Sequence, residues 1–465
     1  MIIVKLTGGL GNQMFQYAFA RSLAENKNTE LFIDNSFFNR PFYINYFLKC
    51  GTKIINFNSK ISNKFNLNVL LDLSKYIQPS HEKYSLNCFN LNNTILTKKS
   101  LSTLKRKHDI HFYDYSSPLK TMELEKLKNI ETPAYIVGLW QSEKYFIENE
   151  EIIRKDFEFK YPLKGLNKEI KEDILNNESV AIHIRKGDFL KHPEVGICTL
   201  DYYNKAIKYL IDNLNNPKFF IFSDNPKWVK ENIKISKPSY YVSNNSSDKG
   251  YNDLHLMSLC KHFIIANSSF SWWGAWLSKN KNKIVIKPNP WQFSRIMKVS
   301  DISSKKCIKI SNDYSNLYNN SKEILFKLKT IEDLKKITKN KENIKITKNE
   351  HNFLFLNTMN KKSKIFFENL NKKSEENNII IKFVFKSNLR GMLRLLYLTT
   401  DSKIYSETKS FPVLFEKDEE LTIYFPLSHE ILLNSLILIP SNKPNTKMII
   451  KEMEIREINY KKGFY

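Results

Sequence analysis

The chain has 465 residues and a mass of 55.0 kDa, with 42% hydrophobic and 26% charged residues, a balance that excludes a wholly disordered or collagen-like chain. Lys plus Arg number 73 against 48 Asp plus Glu, giving +25, and residues 311–465 hold 27 basic and 19 acidic side chains while residues 1–310 hold 46 and 29. The charge is a background spread along the chain, which excludes a basic nucleic-acid tail and leaves room only for weak attraction to an anionic membrane surface.

The apolar run Met1–Leu6 reads as a strand ending in Thr7-Gly8-Gly9, and residues 12–24 follow with helical spacing of Met14, Phe15, Tyr17, Ala18 and Leu23. Leu31-Phe32-Ile33 is the next strand, so the chain opens β-α-β. Residues 36–130 are Asn/Lys-rich with scattered aromatics and are assigned only as irregular or mixed. Tyr135–Leu139 predicts a strand, and Ser142 to about Asp156 a helix. From residue 179 the pattern is regular. Strand-like runs at Val180–Ile184, Phe219–Phe222, Tyr240–Val242, Phe263–Ala266 and Ile284–Ile286 alternate with helical stretches near 201–214, 226–234, 252–261 and 272–279. That rhythm predicts a parallel α/β sheet. Residues 311–350, Lys/Asn/Ile-rich without Gly or Pro, read as a helical linker. Beyond them Ile379–Phe385, Leu393–Leu398, Leu421–Phe425, Leu436–Ile439 and Met448–Ile455 are β-rich runs separated by polar turns, the texture of a small β-sandwich. The expected organisation is α/β domains over 1–165 and 166–310, a linker over 311–350 and a β-rich module over 351–465.

Five cysteines, Cys50, Cys88, Cys198, Cys260 and Cys307, are odd in number and show no C-x-x-C spacing, so a disulfide framework or zinc site is not expected and a reducing compartment is. Ile2-Ile3-Val4 before Lys5 is too short for a signal-peptide core, and no apolar run approaches 18 residues. The expectation is a cytoplasmic protein, at most peripheral to a membrane.

In an open parallel sheet, ligands bind outside the carboxyl ends of the strands. Gly8-Gly9-Leu10-Gly11-Asn12-Gln13 follows the first strand. His183, Arg185 and Asp188 follow the 180s strand, Ser223 and Asp224 the next, and Asn267, Ser268 and Ser269 a later one. Any one of these reads equally as a helix cap; four on one rim favour a site. Three of only twelve glycines fall within residues 8–11. Glycines there let backbone approach a ligand, and the helix start that follows favours an anion. The spacing is neither G-x-G-x-x-G nor G-x-x-x-x-G-K-[ST], so it carries no dinucleotide or P-loop fingerprint. Arg185, in a chain with few Arg, offers a planar fork suited to phosphate or, alternatively, a salt bridge. No D-x-D occurs, so a diphosphate would rest on Arg185, the helix start near Ser268-Ser269 and the Gly8–Gly11 turn. Trp272, Trp273 and Trp276 could stack on sugars or pack a helix on the sheet.

Four blocks, GGLGNQMFQYA over 8–18, HIRKGDF over 183–189, FSD over 222–224 and NSSFSWWGAW over 267–276, resemble the signature blocks of the α-1,2-fucosyltransferases, glycosyltransferase family 11. They occur in family order across residues 1 to about 290. Lys186 and Phe189 depart from the commonest second block. The resemblance implies a GT-B-like pair of Rossmann-like domains. It implies inverting, metal-independent transfer of L-fucose from GDP-fucose to the 2-hydroxyl of a galactose-type acceptor, an oligosaccharide or lipid-linked glycan of surface polysaccharide. It places the acceptor on the first α/β domain and GDP-fucose on the second, with no cofactor. His183 would contact the nucleotide, Arg185 the diphosphate and Asp224, with Ser223 beside it, the guanine. Ser268, Ser269 and Phe270 would line the phosphate pocket, and Gly9, Gly11 and Asn12 would approach the fucose or leaving group. Asp188 or Glu194 would be the general base. A fucosyltransferase of another linkage is one alternative, and a glycan-binding protein led by the β-rich module is the non-enzymatic one.

Overall fold

In the computed structural model the described residues are 1–38, 85–91, 94–96, 103–104, 108–115, 129–187, 189, 195–292, 302, 307–319, 321, 323–328, 333, 338–348, 354–360, 363–367, 378–399, 410–427 and 431–458. The first unit is a parallel sheet of β1 (Ile2–Lys5), β2 (Leu31–Asp34), β3 (Thr94–Leu96), β4 (His111–Tyr115) and β5 (Ala134–Gly138), in the order β3-β2-β1-β5-β4. Ile2, Ile3 and Val4 of β1 are all buried, as a central parallel strand covered on both faces requires. Helix α1 (Leu10–Asn26) follows the glycine turn and is buried nearly all round, because it lies between this sheet and a helix of the second unit.

After α2 (Glu150–Asp156) and α3 (Leu166–Leu175) comes a second parallel sheet: β6 (Glu178–Ile184), β7 (Pro217–Ser223), β8 (Ser239–Val242), β9 (His262–Ile264), β10 (Val285–Asn289) and β11 (Ile308–Ser311). Its order, β11-β10-β9-β6-β7-β8, is the doubly wound one, reversing direction between β6 and β9. Helix α4 (Leu200–Asn213) buries Tyr202, Tyr203, Ala206, Ile207 and Leu210, one helical face, and Thr199 caps it by accepting from Tyr202 N at 3.2 Å. Asn225 caps α5 (Pro226–Asn232), with Pro226 at its start. Helices α6 (Gly250–Leu259) and α7 (Ser269–Leu277) cover the other face.

The predicted alternation therefore agrees with both parallel sheets. The expected helix from Ser142 is two 3-10 turns, Glu143–Tyr145 and Ile147–Asn149, before α2. Within 36–130, β3 and β4 are strands that the aromatic scatter hid.

The helical linker expected over 311–350 is corrected. One short helix, α8 (Ser315–Asn319), is followed by β12 (Glu323–Lys327), β13 (Thr338–Glu342) and β14 (Ile344–Lys348). Ile344-Lys345-Ile346 alternates with period two, and it is this alternation rather than the lack of Gly and Pro that decides the structure. These strands join β15 (Leu354–Thr358), β16 (Lys364–Phe367), β17 (Asn378–Ser387), β18 (Gly391–Thr399), β19 (Ser410–Phe415), β20 (Glu420–Leu427), β21 (Ile431–Ile439) and β22 (Lys447–Ile458). They make two antiparallel sheets, β14-β15-β22-β17-β20 with β12 on β22, and β13-β16-β21-β18-β19, closed over one core containing Phe383, Phe385, Leu395, Phe411 and Met453. No helix among the described residues is long and apolar enough to cross a membrane. Cys88, Cys198 and Cys260 are buried free thiols; Cys50 lies outside the described residues.

Candidate active site

The switch points are β1/β5 in the first sheet and β6/β9 in the second, and the segments that follow β1, β5 and β9 touch one another. Gly8 turns the chain out of β1 at φ +75°, a conformation that favours glycine. Gly9, at the start of α1, faces open space and is exposed. Gly11 is where α1 crosses α7: a Cβ there would stand 2.6 Å from Phe270 N and Ser269 C. Trp273 Nε1 donates to Gly11 O at 3.0 Å across the same crossing. Asn12 Oδ1 accepts from Ser269 Oγ at 2.9 Å and from Gln141 Nε2 at 2.7 Å. One amide thus ties the ends of β1, β5 and β9 together.

Beside it, His183 is buried and its ring lies 5.5 Å from that of Phe270. Its Nδ1 has no hydrogen-bond partner. Burial, reinforced by Arg185, pushes its pKa down to about 3, so the imidazole is neutral. Arg185 Nε lies 3.3 Å from Asp224 Oδ2, and the guanidinium, 34% exposed, lies over Phe189. Asp224 Oδ1 accepts from Lys186 N at 2.9 Å, and a Cβ on Gly187 would meet Asp224 Oδ2 at 2.7 Å. The carboxylate expected at guanine is therefore fastened to the 185–187 turn, and a guanine contact would share its oxygens. Ser223 Oγ accepts from Asn225 N at 3.0 Å, the turn-forming use of a serine.

Ser268 starts α7 and gives it no side-chain cap, so the first amides of that helix are left for other acceptors. Asn267 holds the chain that precedes α4, its Nδ2 donating to Val195 O at 3.2 Å and Gly196 O at 2.8 Å. The three tryptophans resolve to packing. Trp272, Trp273 and Trp276 are buried against Phe15, Phe146 and Phe157, with centroids 4.6–5.7 Å apart. Arg154 lies over Trp276 at 4.1 Å and donates to Trp276 O at 2.8 Å, closing the C-terminus of α7. Asp188 and Glu194 lie outside the described residues. Among the described residues no group of three His, Cys, Asp or Glu side chains could hold a metal. Gln141 escaped the sequence reading, since a lone polar residue after Trp140 carries no motif.

Lys186 points away from this junction. Its Nζ is buried, without a hydrogen-bond partner, 3.4 Å from the Trp228 ring centroid. Burial pushes its pKa from 10.5 down to about 6, against the pull of Asp224. Because the unfolded chain then holds more protons between pH 6 and 10.5, folding stability rises with pH across that window. The Lys186→Met chain lacks this slope, so the wild type gains stability relative to it from pH 6 to pH 10. Urea midpoints of both chains at several pH values check this; parallel curves would contradict it.

The family model described as "Glycosyl transferase family 11" matches residues 1–311. The chain is 34% identical over 304 residues to an α-1,2-colitosyltransferase of Escherichia coli, covering 63% of this chain and 92% of that protein. It is 32% identical over 304 residues to the O-antigen biosynthesis glycosyltransferase WbnK of Escherichia coli, covering 62% and 93%. It is 27% identical over 104 residues to galactoside α-(1,2)-fucosyltransferase 1 of Bos taurus, covering 21% and 29%.

Proposed function

The chain belongs to glycosyltransferase family 11, and from that premise we propose that it transfers L-fucose from GDP-fucose to the 2-hydroxyl of a galactose-type acceptor in surface-glycan synthesis. The observation that carries the reading is the junction at Asn12. It ties the glycine turn to the uncapped start of α7, with His183 beside Phe270, and a nucleotide diphosphate on this rim would rest on those amides and on Arg185 without a metal.

Breaking the sugar–phosphate bond builds negative charge on the leaving GDP. Arg185 and the first amides of α7 stabilise it as it forms. With Oδ1 of Asn12 engaged on both sides, its Nδ2 is the end able to donate towards the fucose or the diphosphate. A neutral His183 adds no cation; it contributes a ring surface beside Phe270 for the nucleotide. The acceptor hydroxyl attacks the anomeric carbon from the opposite face, inverting it, and gives its proton to Asp188 or Glu194. The two α/β units then form a GT-B-like pair, with the acceptor on the first and the donor on the second. The spread positive charge favours a loose hold on an anionic membrane, on its cytoplasmic face, where lipid-linked acceptors sit.

The second reading is colitose in place of fucose, favoured by the 34% identity to the colitosyltransferase. Incubation with each GDP-sugar and a galactoside panel, in the presence of a chelator, releases GDP and yields an α-1,2-linked product. No turnover with GDP-fucose alongside turnover with GDP-colitose reassigns the donor. No binding of either sinks the function.

A further inference from the structure

Two residues just beyond the family-matched segment, which ends at residue 311, enter the catalytic unit. Asn312 and Tyr314 are both buried, and neither lies in any of the four signature blocks. Asn312 N donates to Asn289 O at 2.8 Å, extending β11 alongside β10. Its Oδ1 accepts from Thr199 N at 2.8 Å. The Tyr314 hydroxyl accepts from Ile197 N at 3.0 Å and donates to Ile197 O at 3.1 Å, serving both backbone groups of one residue. Ile197 and Thr199 lie between the β6 end that carries His183 and Arg185 and the start of α4. Their segment is held on its other side by Asn267, beside the start of α7.

The same short stretch is fastened at its far end to the β-sandwich. Tyr318 N donates to Tyr314 O at 3.0 Å, so Tyr314, just before α8, sits one turn from Tyr318 within it. The Tyr318 ring lies 4.1 Å from the Arg456 guanidinium and 5.4 Å from the Tyr424 ring. Arg456 donates to Tyr318 O at 3.3 Å and pairs with Glu454. Glu454 is buried, also paired with Lys327 at 3.0 Å, and held well below the usual carboxylate range by these partners.

We propose that Asn312 and Tyr314 are positioning residues for the donor site, and that the β-sandwich acts as their anchor, bracing the segment Ile197–Thr199 through α8. The inference rests on the donor reading above. It goes beyond it by giving the C-terminal module a part in donor binding without contact with the donor. A backbone carbonyl and amide buried at Ile197 need partners; the hydroxyl serves the amide and, alongside Asn312 Nδ2 at 3.5 Å, the carbonyl, and without it the segment relaxes and the acceptors of Asn267 loosen.

The test uses the full-length chain and two variants. Tyr314→Phe keeps the ring and removes only the hydroxyl. Arg456→Met loosens the sandwich end of the brace, far from the rim. Tyr314→Phe is expected to raise the KM for GDP-fucose and the Kd for GDP about tenfold, with kcat and the acceptor KM within about twofold. Arg456→Met is expected to shift them the same way by about threefold. Amide exchange of the peptide holding Ile197–Thr199 accelerates in both. Unchanged exchange overturns the brace. Faster exchange with unchanged GDP affinity overturns the positioning role and leaves a structural contact. A wild-type chain that binds neither GDP nor a GDP-sugar overturns the donor reading and the positioning role with it. That failure is distinguishable, because the exchange would still accelerate in Tyr314→Phe.

Discussion

On the proposed donor reading, Arg185→Ala is expected to lower turnover with GDP-fucose by about 10²–10³-fold while the folded chain keeps its stability within about 1 kcal/mol. The two halves of that expectation come from the same geometry. The Arg185 guanidinium is partly exposed, and its Nε lies 3.3 Å from Asp224 Oδ2. Loss of such a pair costs little, and Asp224 keeps its bond from Lys186 N. A guanidinium carries four further N–H donors on its terminal nitrogens, in a plane suited to two phosphate oxygens. In the proposed mechanism those donors would matter most as charge passes to the leaving group, so the loss is expected to fall on kcat more than on donor affinity. Arg185→Lys keeps the charge without the fork and loses about tenfold. Lys186 cannot substitute, since its amine is buried against Trp228 and burial pushes its pKa down to about 6. Stopped-flow GDP release under saturating donor, with an unfolding curve on the same preparation, decides it. Turnover within about threefold of wild type in a folded Arg185→Ala chain removes Arg185 from the diphosphate.

The sheets were legible because each parallel strand is a short apolar run bounded by polar turns, as in Val180–Ile184 and Phe219–Phe222. The rim was legible because scarce residue types sit at strand ends. What stayed hidden is what depends on contacts between distant segments. Trp272, Trp273 and Trp276 carry sequence signals for stacking and for packing alike; only the crossing of α1 and α7 shows that their faces are already occupied by Phe15 and Phe146. Gln141 and Tyr314 carry no local signal, because their partners Asn12 and Ile197 are more than a hundred residues away. The strands over 323–348 were obscured by lysines such as Lys327, Lys341 and Lys345, which are exposed. Asp224 was legible as a strand-end carboxylate, but not that its oxygens hold the neighbouring turn.

Gly11→Ala gives the other large effect, and it joins stability to activity. The new methyl stands 2.6 Å from Phe270 N and Ser269 C and 2.7 Å from Ser269 Oγ. Two of those atoms are backbone at the start of α7, so no rotamer change relieves the overlap; the helices must separate. Overpacking of this kind costs about 1–3 kcal/mol. Separation also stretches Trp273 Nε1 to Gly11 O and Ser269 Oγ to Asn12 Oδ1, the two bonds that lock the crossing. The amides at the start of α7 then move relative to Arg185, and a displacement near 1 Å in such a constellation lowers turnover about 10²-fold. Gly9→Ala separates steric cause from glycine loss: its Cβ enters open space at a φ of −73°, and stability changes by less than about 1 kcal/mol. Urea midpoints and kcat/KM for both variants test the pair. A Gly11→Ala chain that matches wild type in both measurements would mean the α1–α7 crossing does not set the rim, and the Asn12 junction would lose its claim to organise the site.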